Sequence, residues 1–245
     1  MAPKEAYLML GHTPPFLYGR LGAVLSALIV VFCLIGMTLH PDFYAGRRRR
    51  DFYCYYTNVS NLVVLLYFGL AAPRLYASQA LAPLIPHVEF IVTLCIMLTF
   101  TVFHLLLFPA VRPSLRGMKR TRTFSIMLVN NLIVHYIVPW LVFFYWLLCA
   151  PGKQALRIWD APLFTLLPLG YLLFIFLRAP ACGNICGEDS PYPYPFLNCR
   201  KNGPRRVMRT CLRLFFVCIA CALGVLLCTR LAFVRWGAGH ALILV

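Results

Sequence analysis

The chain has 245 residues, of which 61% are apolar and 12% are charged, and its mean hydropathy is +0.77. Soluble domains are typically about 45–50% apolar and about 25% charged, so this composition excludes a water-soluble globule. An aromatic content of 15% also excludes a disordered chain.

Six apolar runs are each long enough to cross a bilayer, which takes about 20 helical residues. They predict an all-α fold, a polytopic membrane bundle of six transmembrane helices that forms a single integral membrane domain over residues 1–245. The predicted helices are 16–39, 52–76, 87–111, 123–149, 161–178 and 207–229. The runs lack the alternating pattern of barrel strands, so helices satisfy the backbone in lipid. The first run is interpreted as a retained helix rather than a cleaved leader, because it shows no clear small-residue cleavage site.

The formal net charge is +16, from 23 basic and 7 acidic residues. Lys and Arg are concentrated in the loops after helices 1, 3 and 5, which predicts that these loops are cytoplasmic and that both termini are outside. The charge is therefore mainly a topology signal, and it can also attract anionic membrane lipids. We expect a multi-pass protein, in the plasma (inner) membrane if the source is bacterial, with no nucleic-acid partner. The oligomeric state stays open.

Most of the eleven cysteines fall inside predicted spans, where a free thiol packs as a small apolar group. Three of them, Cys182, Cys186 and Cys199, lie in the loop between helices 5 and 6. Zinc usually takes four ligands and this loop contains no His, so inert thiols are the preferred interpretation over a metal site. No metal or cofactor is expected.

The seven acidic residues all fall in predicted loops or near the ends of spans. This arrangement argues against a paired-carboxylate hydrolase and against an intramembrane proton relay. The chain also lacks a Walker loop, a G-x-S-x-G elbow and an H-E-x-x-H pair.

Polar side chains inside the predicted spans are the candidate functional residues, because such groups are costly in lipid. Those in helices 2 and 4 share helical faces, since they are spaced three or four residues apart. At ~1.5 Å per residue, all the candidates lie ~8–18 Å from the same membrane face, so they could line one cavity. They are Thr57, Ser60 and Asn61 in helix 2, His104 in helix 3, and Asn131 and His135 in helix 4.

Three interpretations of these side chains stay open. A Thr hydroxyl activated by a neighbouring His could attack an ester held in the bilayer, with an Asn stabilising the oxyanion. The same cavity could bind a lipid or small molecule without reacting, as in a carrier. Alternatively, the polar groups could only join helices by hydrogen bonds. Pro139 is predicted to kink helix 4 just beyond His135.

Several strings resemble one family of six-span membrane proteins. They are FYCYYTNVSNLVVLLYFGL from Phe52, LTFTVFHLLLFP from Leu98, LIVHYIVPWLVFFYWLL from Leu132, PLGYLLFIFLR from Pro168 and YPYPFLN from Tyr192. As a set they resemble the bacterial-type relatives of the androgen-induced proteins, a family that includes the androgen-dependent regulator of tissue factor pathway inhibitor. The resemblance covers most of the chain, from helix 1 to helix 6.

This resemblance implies an intramembrane threonine hydrolase of lipid esters, especially fatty-acid esters of hydroxylated fatty acids. The Thr of the Y-Y-T string is Thr57 and the His of the H-Y-x-x-P string is His135, so these two are the expected catalytic pair. Ser60, Asn61, His104 and Asn131 are the expected substrate-binding residues. The run of four arginines from Arg47, the Cys-rich last helix and the outside termini depart from the family pattern.

The Y-P-Y-P-F loop has a physical interpretation of its own. Its three prolines prevent helix and favour extended backbone. Its aromatic side chains suit the level of the lipid headgroups, so an interfacial anchor is the preferred interpretation. A cover over the mouth of the cavity is the alternative.

Overall fold

A computed structural model of the chain describes residues 19–40, 49–109, 112, 121–153, 156–185 and 189–237. Within these ranges the secondary structure is helical, and no strand occurs. Six helices are long and apolar enough to cross a membrane, which confirms the all-α six-helix prediction. They are α1 (Gly19–Thr38), α2 (Tyr56–Ala77), α3 (Ala82–Leu107), α4 (Arg122–Cys149), α5 (Ile158–Cys182) and α6 (Pro204–Gly237).

The start of the third helix differs most from its predicted position. It begins at Ala82 instead of residue 87, and the extra turns contain Pro83 and Pro86. Proline is tolerated in the first turn of a helix, where its missing N–H would have no intrahelical partner. Residues 16–18 of the first predicted helix and 110–111 of the third lie outside the described residues.

Three of the helices contain a single π turn, and each π turn ends two residues before a proline. The π turns are Tyr67–Ala71, Phe103–Leu107 and Ile133–Ile137, and the prolines are Pro73, Pro109 and Pro139. The N–H of the residue before each proline donates to the carbonyl five residues back, as Val138 does to Ile133. Proline supplies no N–H to continue the α-helical ladder, so the preceding turn widens.

The first four helices pack around a common core. α1 approaches α4 closely at Gly36, whose carbonyl accepts a hydrogen bond of 2.5 Å from Nδ2 of Asn130. α6 is joined to α4 by Nε1 of Trp146, which donates to the hydroxyl of Thr229 at 3.0 Å. The start of α5, Ile158–Thr165, packs against α6, whereas the rest of α5 makes little contact with α6, which leaves a gap between the two helices.

Candidate functional site

An apolar cavity of about 510 Å³ lies in the gap between α5 and α6. α3 forms its inner wall with Leu98, Val102 and Phe103, and the segment before α6 closes one end with Tyr194 and Phe196. Both helices that flank the gap present mostly aliphatic and aromatic side chains to it. The volume is within the usual range of small-molecule sites, and the lining suits an acyl chain that enters from the bilayer.

A second cavity of about 490 Å³ lies on the other side of the same wall, against α4. It carries more polar groups than the first, and these include His40, Asn58, Asn130 and Asn131. The two cavities share a small set of lining residues: Thr57, Phe103, Leu107, His135 and Tyr194. The predicted nucleophile and the predicted base therefore both lie in the wall between an apolar and a more polar cavity.

Thr57 is the second residue of α2. The backbone N–H groups of the first helical turn have no intrahelical partner, and the N-terminal end of a helix is electropositive. The N–H of Tyr56 donates to the hydroxyl of Tyr194 at 3.0 Å, and the hydroxyl of Thr57 also hydrogen-bonds Tyr194. The phenol of Tyr194 thus occupies the end of α2, where a negatively charged oxygen would be stabilised.

His135 belongs to the π turn that precedes Pro139. Its ring stacks on Phe103, with centroids 3.7 Å apart and planes 13° apart, and it interacts with the backbone of Thr99. The side chain is 6% exposed, and its Nδ1 has no hydrogen-bond partner among the described residues. The predicted kink at Pro139 is therefore a widened turn that carries the candidate base.

Ser60 and Asn61 lie beneath Thr57 and line neither cavity. The hydroxyl of Ser60 is 2.6 Å from the hydroxyl of Thr99 on α3. Nδ2 of Asn61 donates to the carbonyls of Thr57, at 2.8 Å, and Val134, at 3.3 Å. Both side chains join α2 to its neighbours, so they can hold Thr57 in place, but neither is positioned to touch a molecule in a cavity.

The structure separates the remaining two predicted binding residues. Asn131 is half-buried and lines the second cavity. His104 is exposed on the outer face of α3 and lines neither cavity. Its ring stacks on Phe100, and its Nδ1 is 3.2 Å from the hydroxyl of Tyr136. His104 is therefore placed away from the substrate position that we expected for it.

The loop with the Y-P-Y-P-F string lies over the site. Pro191, Pro193 and Tyr194 are buried, and Tyr194 lines both cavities, which favours the cavity cover over the interfacial anchor for this part of the loop. Burial raises the pKa of the Tyr194 phenol, which therefore stays protonated at neutral pH. Arg178 at the end of α5 braces the loop by donating to the carbonyls of Gly183 and Pro191.

Two of the three cysteines of this loop lie within the described residues. Cys182 is exposed and Cys199 is half-buried, and both are free thiols. Cys186 lies outside the described residues. No group of three or more His, Cys, Asp or Glu side chains that could hold a metal ion occurs within the described ranges.

A buried acid on the opposite membrane side was missed in the sequence. Glu89 was predicted near the end of a span, but α3 begins at Ala82, which places Glu89 ~10 Å along the helix. Its side chain is 2% exposed. Its Oε1 accepts from the hydroxyls of Tyr67, Tyr76 and Tyr145 at 2.9, 2.6 and 3.2 Å. Glu89 therefore lies near one end of its helix, as expected, but its burial among the three tyrosines was not predicted.

In the described residues, six helices are long and apolar enough to cross a membrane, and two of the cavities between them meet at Thr57 and His135. Comparisons of the chain with family models, with curated proteins and with solved structures gave no match. The function of the chain is therefore inferred from the geometry of the site and from the resemblance of its sequence strings.

Proposed function

We propose that the protein is an intramembrane hydrolase of lipid esters, with fatty-acid esters of hydroxylated fatty acids as the substrate class. The observation that carries this proposal is the position of Thr57 and His135 in the wall that the two cavities share. The resemblance of the Y-Y-T and H-Y-x-x-P strings to the androgen-induced family selects the same two residues. Thr57 is the nucleophile and His135 is the general base.

The two cavities suit the two halves of such an ester. The apolar cavity between α5 and α6 takes the acyl chain, which reaches it from the surrounding lipid. The more polar cavity takes the alcohol half, whose free end carries polar groups that Asn131 can meet. The ester bond then lies at the shared wall, beside the hydroxyl of Thr57.

The reaction proceeds in two steps, acylation of Thr57 and hydrolysis of the acyl-threonine. Oγ1 of Thr57 attacks the ester carbonyl carbon, and its proton passes to a ring nitrogen of His135, directly or through one water. The bond between the carbonyl carbon and the alcohol oxygen breaks, and the alcohol leaves with that proton. A water molecule then attacks the acyl-threonine in the same way, which releases the acid and restores the hydroxyl.

The end of α2 provides the stabilisation that the tetrahedral intermediate needs. Backbone N–H groups at a helix N-terminus favour a negatively charged oxygen, and one oxyanion donor is typically worth ~3–4 kcal/mol of barrier. The hydroxyl of Tyr194 holds this position in the structure. In the reaction the substrate oxygen takes its place next to the N–H of Tyr56.

Labelling with a fluorophosphonate probe tests the nucleophile. The purified parent is expected to be labelled at Thr57, and Thr57→Ala is expected to abolish the labelling. His135→Ala is expected to slow it by ~100-fold or more, the usual contribution of a general base. Thr210→Ala is the control, since its hydroxyl donates to the carbonyl of Arg206 within α6 and lines neither cavity, and it should be labelled like the parent.

Hydrolysis of a panel of fatty-acid esters is the second measurement. The parent is expected to release free acid, and Thr57→Ala is not. The proposal fails if a folded parent is neither labelled nor active, or if Thr57→Ala is as active as the parent.

A non-enzymatic lipid-binding protein or carrier is the second candidate function. It is favoured by the hydrogen bond of the Thr57 hydroxyl to Tyr194, together with the unpartnered Nδ1 of His135 within the described residues. This function predicts that a lipid co-purifies intact and in equal amount with the parent and with Thr57→Ala. Mass spectrometry of the extracted lipid distinguishes it from the hydrolase, whose inactive variant should retain an ester that the parent has cleaved.

A further inference from the structure

The first turns of α6 have one apolar face and one basic face. The apolar face forms part of the wall of the cavity between α5 and α6, and its residues recur at spacings of three and four. They are Pro204, Val207, Met208 and Cys211. The other surface of these turns, together with the short helix Cys199–Asn202 before them, carries six exposed basic side chains. These residues, here called the basic edge, are Arg200, Lys201, Arg205, Arg206, Arg209 and Arg213.

No carboxylate pairs with the basic edge among the described residues. The ion pairs that the structure shows there involve neither these six side chains nor any other part of α6. Arg205, Arg209 and Arg213 follow one another at a spacing of four residues, so their charges lie along one side of the helix. Like charges at this spacing destabilise a helix, and an anion bound between them would offset the repulsion.

The basic edge lies at the level of the lipid headgroups. The apolar stretch of α6 has 28 residues, Pro204–Leu231, which is ~42 Å of helix, whereas the hydrocarbon core is ~30 Å thick and takes ~20 residues. Arginine inside the core is costly, so the part of α6 that spans the core begins near Leu212 and ends near Leu231. Arg209 and Arg205 then lie ~5 and ~10 Å outside the hydrocarbon, at the level of the lipid phosphates.

The apolar cavity extends from this level into the hydrocarbon. Along α6 its lining runs from Pro204 to Cys218, which is ~21 Å of helix. The cavity is also open toward the bilayer, because lining residues on both flanking helices keep much of their surface exposed. Met208 is 61% exposed, Leu212 is 50% exposed and Leu169 is 48% exposed. An acyl chain can therefore enter from the side while its headgroup stays at the basic edge.

We propose that the basic edge and the apolar cavity together bind one anionic phospholipid, with its phosphate at Arg205 and Arg209 and one acyl chain between α5 and α6. These two arginines border the opening, since Leu212 lies three residues from Arg209 and two turns from Arg205. A guanidinium group matches a phosphate with two parallel hydrogen bonds. The bound phospholipid occupies the volume assigned to the acyl half of an ester, so it competes with the proposed substrate. Its binding requires neither Thr57 nor His135.

Native mass spectrometry of the purified protein in detergent measures the headgroup preference. Dioleoyl phosphatidylglycerol and dioleoyl phosphatidylcholine have the same acyl chains and differ in net charge. The parent is expected to bind the anionic lipid about tenfold or more tightly than the zwitterionic lipid. Arg205→Gln/Arg209→Gln should lose this preference and keep the weaker binding of phosphatidylcholine, which also shows that the variant is folded.

The matched control is Arg74→Gln/Arg230→Gln. It removes the same charge from the C-terminal ends of α2 and α6, at the other membrane face, and it should bind both lipids like the parent. Equal affinity of the parent for the two lipids overturns the proposal. An equal loss of the anionic lipid in both double variants also overturns it, since the attraction would then come from the net charge of the protein.

Two further measurements test the acyl chain. Inorganic phosphate has no chain for the cavity, so at the same concentration as phosphatidylglycerol it should leave the lipid bound. Displacement by phosphate would assign the basic edge to a free anion and overturn the lipid site. Leu172→Trp places a larger side chain in the cavity and should weaken the binding of both lipids, whereas unchanged binding would place the chain elsewhere. None of these experiments depends on ester hydrolysis, so the lipid site and the proposed hydrolase can fail separately.

Discussion

Replacing Gly36 by Ala should destabilise the protein and displace the candidate base. A Cβ atom at residue 36 of α1 would lie 2.7 Å from Cγ1 of Val134 and 3.1 Å from Cγ2 of Ile133. Both neighbours are β-branched and cannot move away by a simple rotamer change. The backbones of α1 and α4 must therefore separate at the π turn that carries His135.

The net change in the free energy of unfolding of Gly36→Ala follows from two opposing effects. Overpacking a well-packed contact typically costs ~1–3 kcal/mol. Replacing Gly by Ala inside a helix gains ~1 kcal/mol. We therefore expect Gly36→Ala to lower the free energy of unfolding by ~1 kcal/mol. The matched control is Gly224→Ala in α6, where the new Cβ meets no atom within 4 Å, so that the variant should gain up to ~1 kcal/mol.

Thermal unfolding in detergent measures the difference between the two variants. In a chain of this size ~1 kcal/mol corresponds to ~2–4 °C in Tm, so Gly36→Ala should melt below the parent and Gly224→Ala slightly above it. Fluorophosphonate labelling of Thr57 should fall in Gly36→Ala alone, because His135 moves with its neighbour Val134. If both variants gain the same stability and keep full labelling, the close approach of α1 to α4 does not control the site.

Three further results are expected from other contacts of the bundle. Trp146→Phe removes the hydrogen bond to Thr229 and should lower the free energy of unfolding by ~1 kcal/mol. The double variant with Thr229→Val should lose little more, as measured in a double-mutant cycle of thermal unfolding. Arg178→Met should release the loop over the cavities, seen as faster proteolysis within residues 183–198, whereas unchanged cleavage would mean that other contacts hold the loop. The neutral amine of Lys153 should form as pH rises through about 8, so acylation followed by mass spectrometry should reach half its maximal rate there. If the pH dependence of Lys153 acylation matches that of free Nα-acetyl-lysine in the same reaction, burial does not lower the pKa of Lys153.

Composition and apolar runs were sufficient to predict the six helices, because only a helix satisfies its own backbone in lipid. The prolines mark three distorted helices, of which the sequence analysis predicted one. Only Pro139 was interpreted as a kink, although Pro73 and Pro109 also follow a widened turn. The early start of α3 was missed because the predicted span began after Pro83 and Pro86, although both prolines fit the first turns of a helix.

The candidate site was predicted in part. Helical spacing brought Thr57 and Asn61 onto one face, yet only Thr57 reaches a cavity, because Asn61 turns toward α4. His104 could not be placed from its own helix, since depth in the membrane does not determine which way a side chain faces. The Glu89 cluster could not be predicted either, because its three tyrosines come from positions far apart in sequence and meet only when α2, α3 and α4 pack.

The three π turns have a consequence for the length of the helices. A π turn holds one more residue than the α-helical turn it replaces, so each acts as a one-residue insertion that the fold has absorbed. Deleting a single residue between Ile133 and Ile137 would restore a regular α-helix and leave the parts of α4 before and after it facing the same neighbours. Asn130 would then keep its hydrogen bond to Gly36, and Asn131 would still line the second cavity. Homologous chains that are one residue shorter here are therefore expected to retain these two asparagines.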